Sequence, residues 1–276
     1  MNMKNIVNAK PFLKWAGGKK SLLTHLEKIL PNSYNSYFEP FLGGGALFFS
    51  LQPKKAFLSD LNKELINTYL QLKRHSKEVI KILEKMPYEK TVYYKIRNTY
   101  SKDKIYRAAR FIYLNRSCWN GLYRENRKGE FNVPFGRFKN PTICDPVNLE
   151  AVSNALKKTS LRHVDFEIIL EKAQNNDLVY LDPPYVTTHS NNGFLQYNAK
   201  IFSLEDQKRL KEVFLKLHKK KCKVILSNAD HKFIRELYDQ FYIYRVDRKS
   251  LLAGDKKKRK DVSELIITNY QTRVKL

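Results

Sequence analysis

Cysteine is scarce. Cys118, Cys144 and Cys222 are widely spaced, odd in number, and form no CxxC pair. That argues against a disulfide framework and against the spacing of a structural zinc site, and it suits a reducing compartment. Long apolar runs are also missing. The most hydrophobic stretch, Phe41 to Leu51, contains three glycines and falls short of the ~20 residues that a bilayer span needs. Residues 1–10 lack the apolar core of a signal peptide. The expectation is a soluble, cytoplasmic protein with no membrane partner. No GxxxxGK[ST] phosphate loop occurs, and no internal repeat or low-complexity linker is evident. Acidic residues are few, 27 against 52 Lys and Arg, for a net charge of +25. An excess of this size suits a polyanionic partner, either nucleic acid or an anionic membrane. A lysine-rich composition without such a partner explains the charge about as well.

What is present describes a folded α/β chain. The 276 residues are 42% hydrophobic and include 17 Tyr and 16 Phe, enough for a packed core and unlike a disordered chain. Strand-like runs fall at Tyr37–Glu39, Ala56–Ser59, Leu161–Val164, Leu178–Leu181, Val224–Ser227 and Glu264–Thr268. Helical periodicity covers Ser21–Leu30, Asn62–Met86 and Ser203–Leu217, and Ser203 followed by Asp206 reads as a helix-start box. Strands alternating with helices predict a parallel sheet. The middle departs from this. Residues 62–114 read as almost all helix, and Asn115 to Pro146 is irregular and rich in Gly and Pro. A loop of that length inside a compact domain is usually functional or flexible. The reading is therefore a core over 1–61 and 149–276, with a helical insertion over 62–148 that carries an exposed reading loop.

Two motifs carry chemistry. Phe38-Glu39-Pro40-Phe41-Leu42-Gly43-Gly44-Gly45 follows a predicted strand and precedes the apolar run Ala46–Leu51. Glycines at a strand-to-helix turn let backbone approach a nucleotide-like ligand. The next strand ends at Asp60, where nucleoside-binding folds hold ribose hydroxyls; Asp60 also suits a helix cap. The dinucleotide pattern GxGxxG is not met, because Phe48 stands at its last glycine. A nucleoside without a pyrophosphate fits best, and S-adenosylmethionine is one. The second motif, Asp182-Pro183-Pro184-Tyr185, directly follows the apolar strand Leu178–Leu181. Two prolines stiffen the turn and leave carbonyls free to accept. Asp182 and the Pro183 carbonyl can then accept hydrogen bonds from both N–H groups of an aromatic amine, favouring its more nucleophilic, tetrahedral form. Tyr185 offers a stacking face. Basic residues interleave with aromatics at Tyr93, Tyr94, Lys95, Arg97 and Tyr100, as in nucleic-acid grooves. The basic run Lys256–Lys260 reads first as a solvated loop and second as a phosphate contact.

Together, Phe12-Leu13-Lys14-Trp15-Ala16-Gly17-Gly18-Lys19, the glycine turn and Asp182-Pro183-Pro184-Tyr185 resemble the Dam family of DNA adenine-N6 methyltransferases, in the motif order of its alpha group. The resemblance covers nearly the whole chain. It implies a Rossmann-like S-adenosylmethionine-dependent methyltransferase fold with a helical target-recognition insertion. It implies cofactor contacts from Trp15, Ala16, Gly17, Lys19, Glu39, Phe41, Gly43, Gly45, Asp60 and Asp182, with Asp165-Phe166 holding the adenine of the cofactor; Asp165 also suits a helix cap. Asp182, Pro183, Pro184 and Tyr185 would be catalytic. Asn120-Gly121-Leu122-Tyr123-Arg124 and Glu130 to Arg137 are similar to the segments by which GATC-specific members read duplex DNA. Arg124 and Arg137 would be polar readers beside Asn120, since Arg grips guanine O6 and N7. Leu122 and Pro134 would touch a thymine methyl, Trp119 would wedge into the stack left by a flipped base, and Lys14 would reach the outer guanine. Trp119 and Phe131 suit loop packing equally well. A methyl sulfonium is already activated, so no metal is expected. The partner expected is duplex DNA, the protein a monomer associated with the nucleoid, and a companion restriction enzyme is left open. A cytosine-N4 methyltransferase, an RNA methyltransferase and a catalytically silent DNA-binding regulator remain rivals.

Overall fold

In the computed structural model, residues 8–15, 17–19, 22–126, 129–185, 202–249 and 261–272 are described. Ala16, Ser21 and the Lys256–Lys260 run lie outside them. Among the described residues seven strands form one sheet: β1 (Tyr37–Glu39), β2 (Ala56–Asp60), β3 (Thr159–His163), β4 (Leu178–Leu181), β5 (Lys223–Ala229), β6 (Tyr242–Lys249) and β7 (Asp261–Thr268). The order across the sheet is β3-β2-β1-β4-β5-β7-β6. The pairs β1/β2, β1/β4 and β4/β5 are parallel, and β7 runs antiparallel between β5 and β6. The order reverses between β1 and β4, and in open α/β sheets ligands bind beyond the carboxyl ends of strands at such a switch. The fold is the Rossmann-like α/β arrangement that the motifs implied. All six strands expected from sequence are present.

The chain divides into two compact units. The first gathers the described residues within Met1–Lys19, Leu42–Lys54 and Ser59–His163. It holds α2 (Ala46–Leu51), α3 (Lys63–Leu83), α4 (Lys90–Asn98), α5 (Lys104–Ser117) and α6 (Pro146–Leu156). The three longest of these helices have a local reason to start. Asn62 accepts from the Leu65 amide, Asp103 from Ile105, and Asp145 from Asn148 with Pro146 at the first helical position, as N-caps do. α3 packs along α5 and α6 and is kinked at His75, whose backbone leaves the helical region. Among the described residues from Cys118 to Asp145 the chain makes only a short 3-10 turn at Trp119–Gly121 and two isolated bridges, Cys118 with Phe135 and Glu125 with Phe131. This is the irregular segment that the glycines and prolines implied.

The second unit gathers the described residues within Lys20–Phe41, Lys55–Leu58 and Val164–Leu276. It holds α1 (Leu23–Ile29), α7 (Ile169–Lys172), α8 (Leu204–Lys219) and α9 (Lys232–Leu237). The start box of α8 forms as read: Ser203 accepts from the Asp206 amide, and Asp206 accepts from Ser203. One apolar cluster takes alternate residues of the strands, among them Val179, Leu181, Leu226 and Leu265, together with Leu210, Phe214 and Leu217 of α8. β4 is buried at every position, as expected of a central parallel strand covered on both faces. Among the described residues no helix is long and apolar enough to cross a membrane.

Candidate active site and nucleic-acid interface

In the first unit, Gly43 and Gly45 take left-handed φ of +46° and +65°, a region L side chains enter at a cost. Gly43 N–H donates to Asp60 Oδ2 at 3.0 Å, and Asn62 N–H donates to Asp60 Oδ1 at 2.8 Å. The Asp60 carboxylate thus ties the end of β2 to the turn. Burial raises its pKa, against the two amide hydrogen bonds and the charge of His163, which lower it. The Tyr69 hydroxyl donates to Gly43 O at 3.1 Å. A Cβ on Gly43 would stand 2.7 Å from Trp15 Cδ1, so the indole lies directly against the turn. Trp15 in turn stacks on Tyr123, with centroids 5.6 Å apart, and on Phe111. Lys19 is buried, and its Nζ donates to Gly17 O at 2.9 Å. Trp15, Gly43, Gly45 and Asp60 come together; Gly17 and Lys19 are held to each other.

This arrangement fits a nucleoside cofactor. Each Asp60 oxygen receives one amide and has a second lone pair, enough for ribose hydroxyls. The turn presents backbone and an indole rather than the lysine of a phosphate loop. The donor set thus suits a ligand without a pyrophosphate.

In the second unit the strands carry a polar face opposite the apolar cluster. Side chains alternate along a strand, so the positions between Phe38, Val179, Leu226 and Leu265 hold Tyr37, Glu39, Tyr180, Ser227 and Glu264. They are satisfied in pairs. Tyr37 OH donates to Glu39 Oε2 at 2.8 Å, Tyr180 OH and Ser227 Oγ are 2.9 Å apart, and Tyr185 OH donates to Glu264 Oε2 at 2.9 Å. Burial pushes the Tyr180 and Tyr185 hydroxyls well above the usual phenol range, and the charge of Asp182 adds to it in both. Asp182-Pro183-Pro184-Tyr185 leaves β4 at its carboxyl end. The candidate residue Glu39, at the end of β1, accepts the Tyr37 hydroxyl through Oε2. Phe41 stacks on Phe166 at 5.3 Å, and Phe202 meets both rings. Asp165 does cap a short turn, accepting from the Glu167 amide at 3.0 Å, and also receives Arg209 at 3.1 Å.

The segment expected to read DNA lies in the first unit. A cleft of about 640 Å³ brings Trp119, Asn120, Pro134 and Arg137 together with Lys90 and Tyr94 of α4. Trp119 is 49% exposed, and its amide donates to Pro134 O at 2.9 Å. Leu122 and Arg124 do not line this cleft. Arg124 is exposed, and its Nε donates to Asn132 Oδ1 at 2.8 Å. Lys14 Nζ sits 3.6 Å above the Phe138 ring. Burial and the charge of Arg116 lower its pKa, while Cys118 raises it. Asn115, missed in the sequence, fastens Lys14 to the loop. Its Oδ1 accepts from Lys14 N–H, and its Nδ2 donates to the carbonyls of Lys14 and Gly121. Lys90 and Phe138 were missed as well, whereas Tyr94 belongs to the Tyr93–Tyr100 interleaving of basic and aromatic residues read from sequence.

Comparison with known proteins shows the family. A family profile described as D12 class N6 adenine-specific DNA methyltransferase matches residues 15–251. The chain is 41% identical to type II methyltransferase M1.LlaDCHI of Lactococcus lactis subsp. cremoris, over 97% of this chain and 98% of that one. It is 41% identical to type II methyltransferase M.MjaIII of Methanocaldococcus jannaschii, over 96% of this chain and 100% of that one. It is 33% identical to the DNA adenine methylase of Escherichia coli (strain K12), over 93% of this chain and 94% of that one. With the profile spanning most of the sequence and relatives matching almost end to end, the chain belongs to the D12 class of N6 adenine-specific DNA methyltransferases.

Proposed function

We propose that this adenine-specific DNA methyltransferase acts on adenine within GATC in duplex DNA, on a base flipped out of the helix. The observation that carries the chemistry is the Asp182-Pro183-Pro184-Tyr185 turn at the carboxyl end of β4, stiffened by its prolines and flanked by the buried acids Glu39 and Glu264. Family membership implies S-adenosylmethionine, which when bound supplies an electrophilic sulfonium methyl that adenine N6 takes by direct in-line displacement. Trp15, Ala16, Gly17, Lys19, Gly43, Gly45 and Asp60 are proposed to hold it in the first unit. Glu39, Phe41, Asp165, Phe166 and Asp182 are proposed to do so in the second.

Asp182 and the Pro183 carbonyl accept hydrogen bonds from the two amine N–H groups and stabilise the positive charge that develops on nitrogen. Flipping is required because N6 is unreachable inside the stack, and it costs a few kcal/mol. Stacking on Tyr185 returns about 1–3 kcal/mol of that. In the insertion, residues 62–148, Arg124 and Arg137 read guanine edges or phosphates, Asn120 reads a base edge, Leu122 and Pro134 meet a thymine methyl, and Trp119 fills the gap left by the flipped base. The solvent-facing indole, the two-arginine loop and the net charge of +25 support this reading. The GATC assignment rests on similarity to GATC readers. A restriction endonuclease partner is suggested by the type II names of the relatives, and a monomer suffices to treat each strand of a palindrome in separate events.

The test is transfer of labelled methyl from S-adenosylmethionine to two matched duplexes, one with a single GATC and one with its adenine replaced. Label at N6 in the first alone is expected. Equal label in both discards GATC, and label in neither, with binding intact, discards catalysis.

A further inference from the structure

Glu264 is a carboxyl 1% exposed in the middle of a strand whose next residues are Leu265, Ile266 and Ile267. Burying an ionisable group there is costly unless it is satisfied. Strands also disfavour glutamate, so an aliphatic residue is the default at such a position. Its place in the sheet accounts for its use. Glu264 pairs with Ala229 at the last position of β5 and with Val246 of β6 on the other side. The antiparallel run of β7 thus delivers its side chain to the edge at which β4 exits into Asp182. Flanking groups hold this end of the sheet. Asp230, directly after β5, is fixed by Arg235 at 2.7 Å and by Ser263, the neighbour of Glu264.

The group that Glu264 meets is the Tyr185 hydroxyl, 2.9 Å away and 79 residues distant in sequence. Tyr185 hangs from a turn whose two prolines fix the backbone, but prolines do not set the direction in which the next side chain points. A hydrogen bond at the far end of the phenol does. The ring is then mounted at two points, its Cα on the stiff turn and its hydroxyl on the sheet. We propose that Glu264 is a positioning residue for methyl transfer: by accepting a hydrogen bond from the Tyr185 hydroxyl it fixes the direction of the ring on which the flipped adenine stacks. The inference rests on the reading of Tyr185 as that stacking face. It assigns Glu264 no contact with substrate or cofactor.

The experiment is single-turnover methylation of a GATC duplex, with KM for DNA and thermal midpoint measured in parallel. The variants are Tyr185→Phe, Glu264→Ala, their double, Glu264→Gln and Tyr185→Ala. Tyr185→Phe and Glu264→Ala are each expected to slow transfer about tenfold, the order of one hydrogen bond, with KM and midpoint little changed. The double variant should be no slower than either single one, because both remove the same bond. Glu264→Gln keeps an acceptor and should stay within about threefold of wild type. The proposal is overturned by additive losses, by Glu264→Gln as slow as Glu264→Ala, or by losses that follow the midpoint. Should Glu264→Ala not fold, Tyr185→Phe decides, and a wild-type rate overturns the proposal. Tyr185→Ala separates the two layers. A wild-type rate there removes the stacking reading itself, whereas a slow Tyr185→Ala beside a fast Tyr185→Phe removes only the mount.

Discussion

Replacing Gly43 by alanine isolates the close packing of the glycine turn. The backbone term comes from φ of +46°; a left-handed conformation costs an L residue about 1–2 kcal/mol. The contact term comes from the new Cβ, which would stand 2.7 Å from Trp15 Cδ1 and 2.9 Å from Nε1, well inside the ~3.5–4.0 Å of ordinary carbon contact. Either the indole or the turn must move, at about 1–3 kcal/mol by analogy with overpacked cores. The expected loss is about 2–5 kcal/mol. Gly129→Ala is the control: its φ is +77°, and its Cβ would meet nothing within 4 Å among the described residues, leaving the backbone term alone. Thermal or urea unfolding should therefore place Gly43→Ala below Gly129→Ala by about 1–3 kcal/mol. A second readout is available because the chain has two tryptophans, Trp15 and Trp119. In a Trp119→Phe background Trp15 is the sole indole, and Gly43→Ala should shift its emission while Gly129→Ala does not. Equal stability losses with unchanged emission would refute the packing of Trp15 on the turn.

Asp182→Ala should abolish transfer and leave duplex affinity within about threefold, since the carboxylate is asked to act on the amine and not on the DNA backbone; parallel loss of binding in a gel-shift assay argues against that role. Arg124→Ala should cost about 1–3 kcal/mol of discrimination at one base pair and leave non-specific binding almost unchanged, and an unaltered preference across single-substituted sites removes Arg124 from the readers. Asp230 is held below the usual carboxylate range by its hydrogen bond to Arg235, against desolvation, with help from Ser263 and Arg245. Its contribution to stability is therefore full above the unfolded value near 3.8 and is lost as pH falls through the lower folded value. The midpoint gap between wild type and Asp230→Asn should be constant above about pH 5 and close under more acid conditions; a gap that widens with acid contradicts the sign.

What could be read in the sequence follows how local the cause is. The glycine turn and Asp-Pro-Pro-Tyr are legible because their chemistry is backbone chemistry, set within a few residues. The Ser203–Asp206 start is legible for the same reason. α6 was within reach, since Asp145-Pro146 is a helix start followed by Leu149, Val152 and Leu156 at helical spacing. α9 is too short, at six residues, for periodicity to register. β6 is an edge strand, and Arg245, Asp247, Arg248 and Lys249 on it mask the alternation of its apolar residues, as charged edges commonly do. The site was legible only in part, and the missing part has one character. Asn115 with Lys14 and Glu264 with Tyr185 are joined across 101 and 79 residues. Each motif residue was visible, but the residue that orients it was not, because strand register and loop closure decide which side chains meet. The polar face of β1, β4, β5 and β7 makes the same point. Its phenols and acids recur with the period of two that any strand shows, so in sequence each looks like an isolated misfit in an apolar run. Only when Leu181 is set beside Leu226, and Ala229 beside Glu264, do the misfits fall on one face. Their mutual satisfaction there is what allows a buried sheet to carry them.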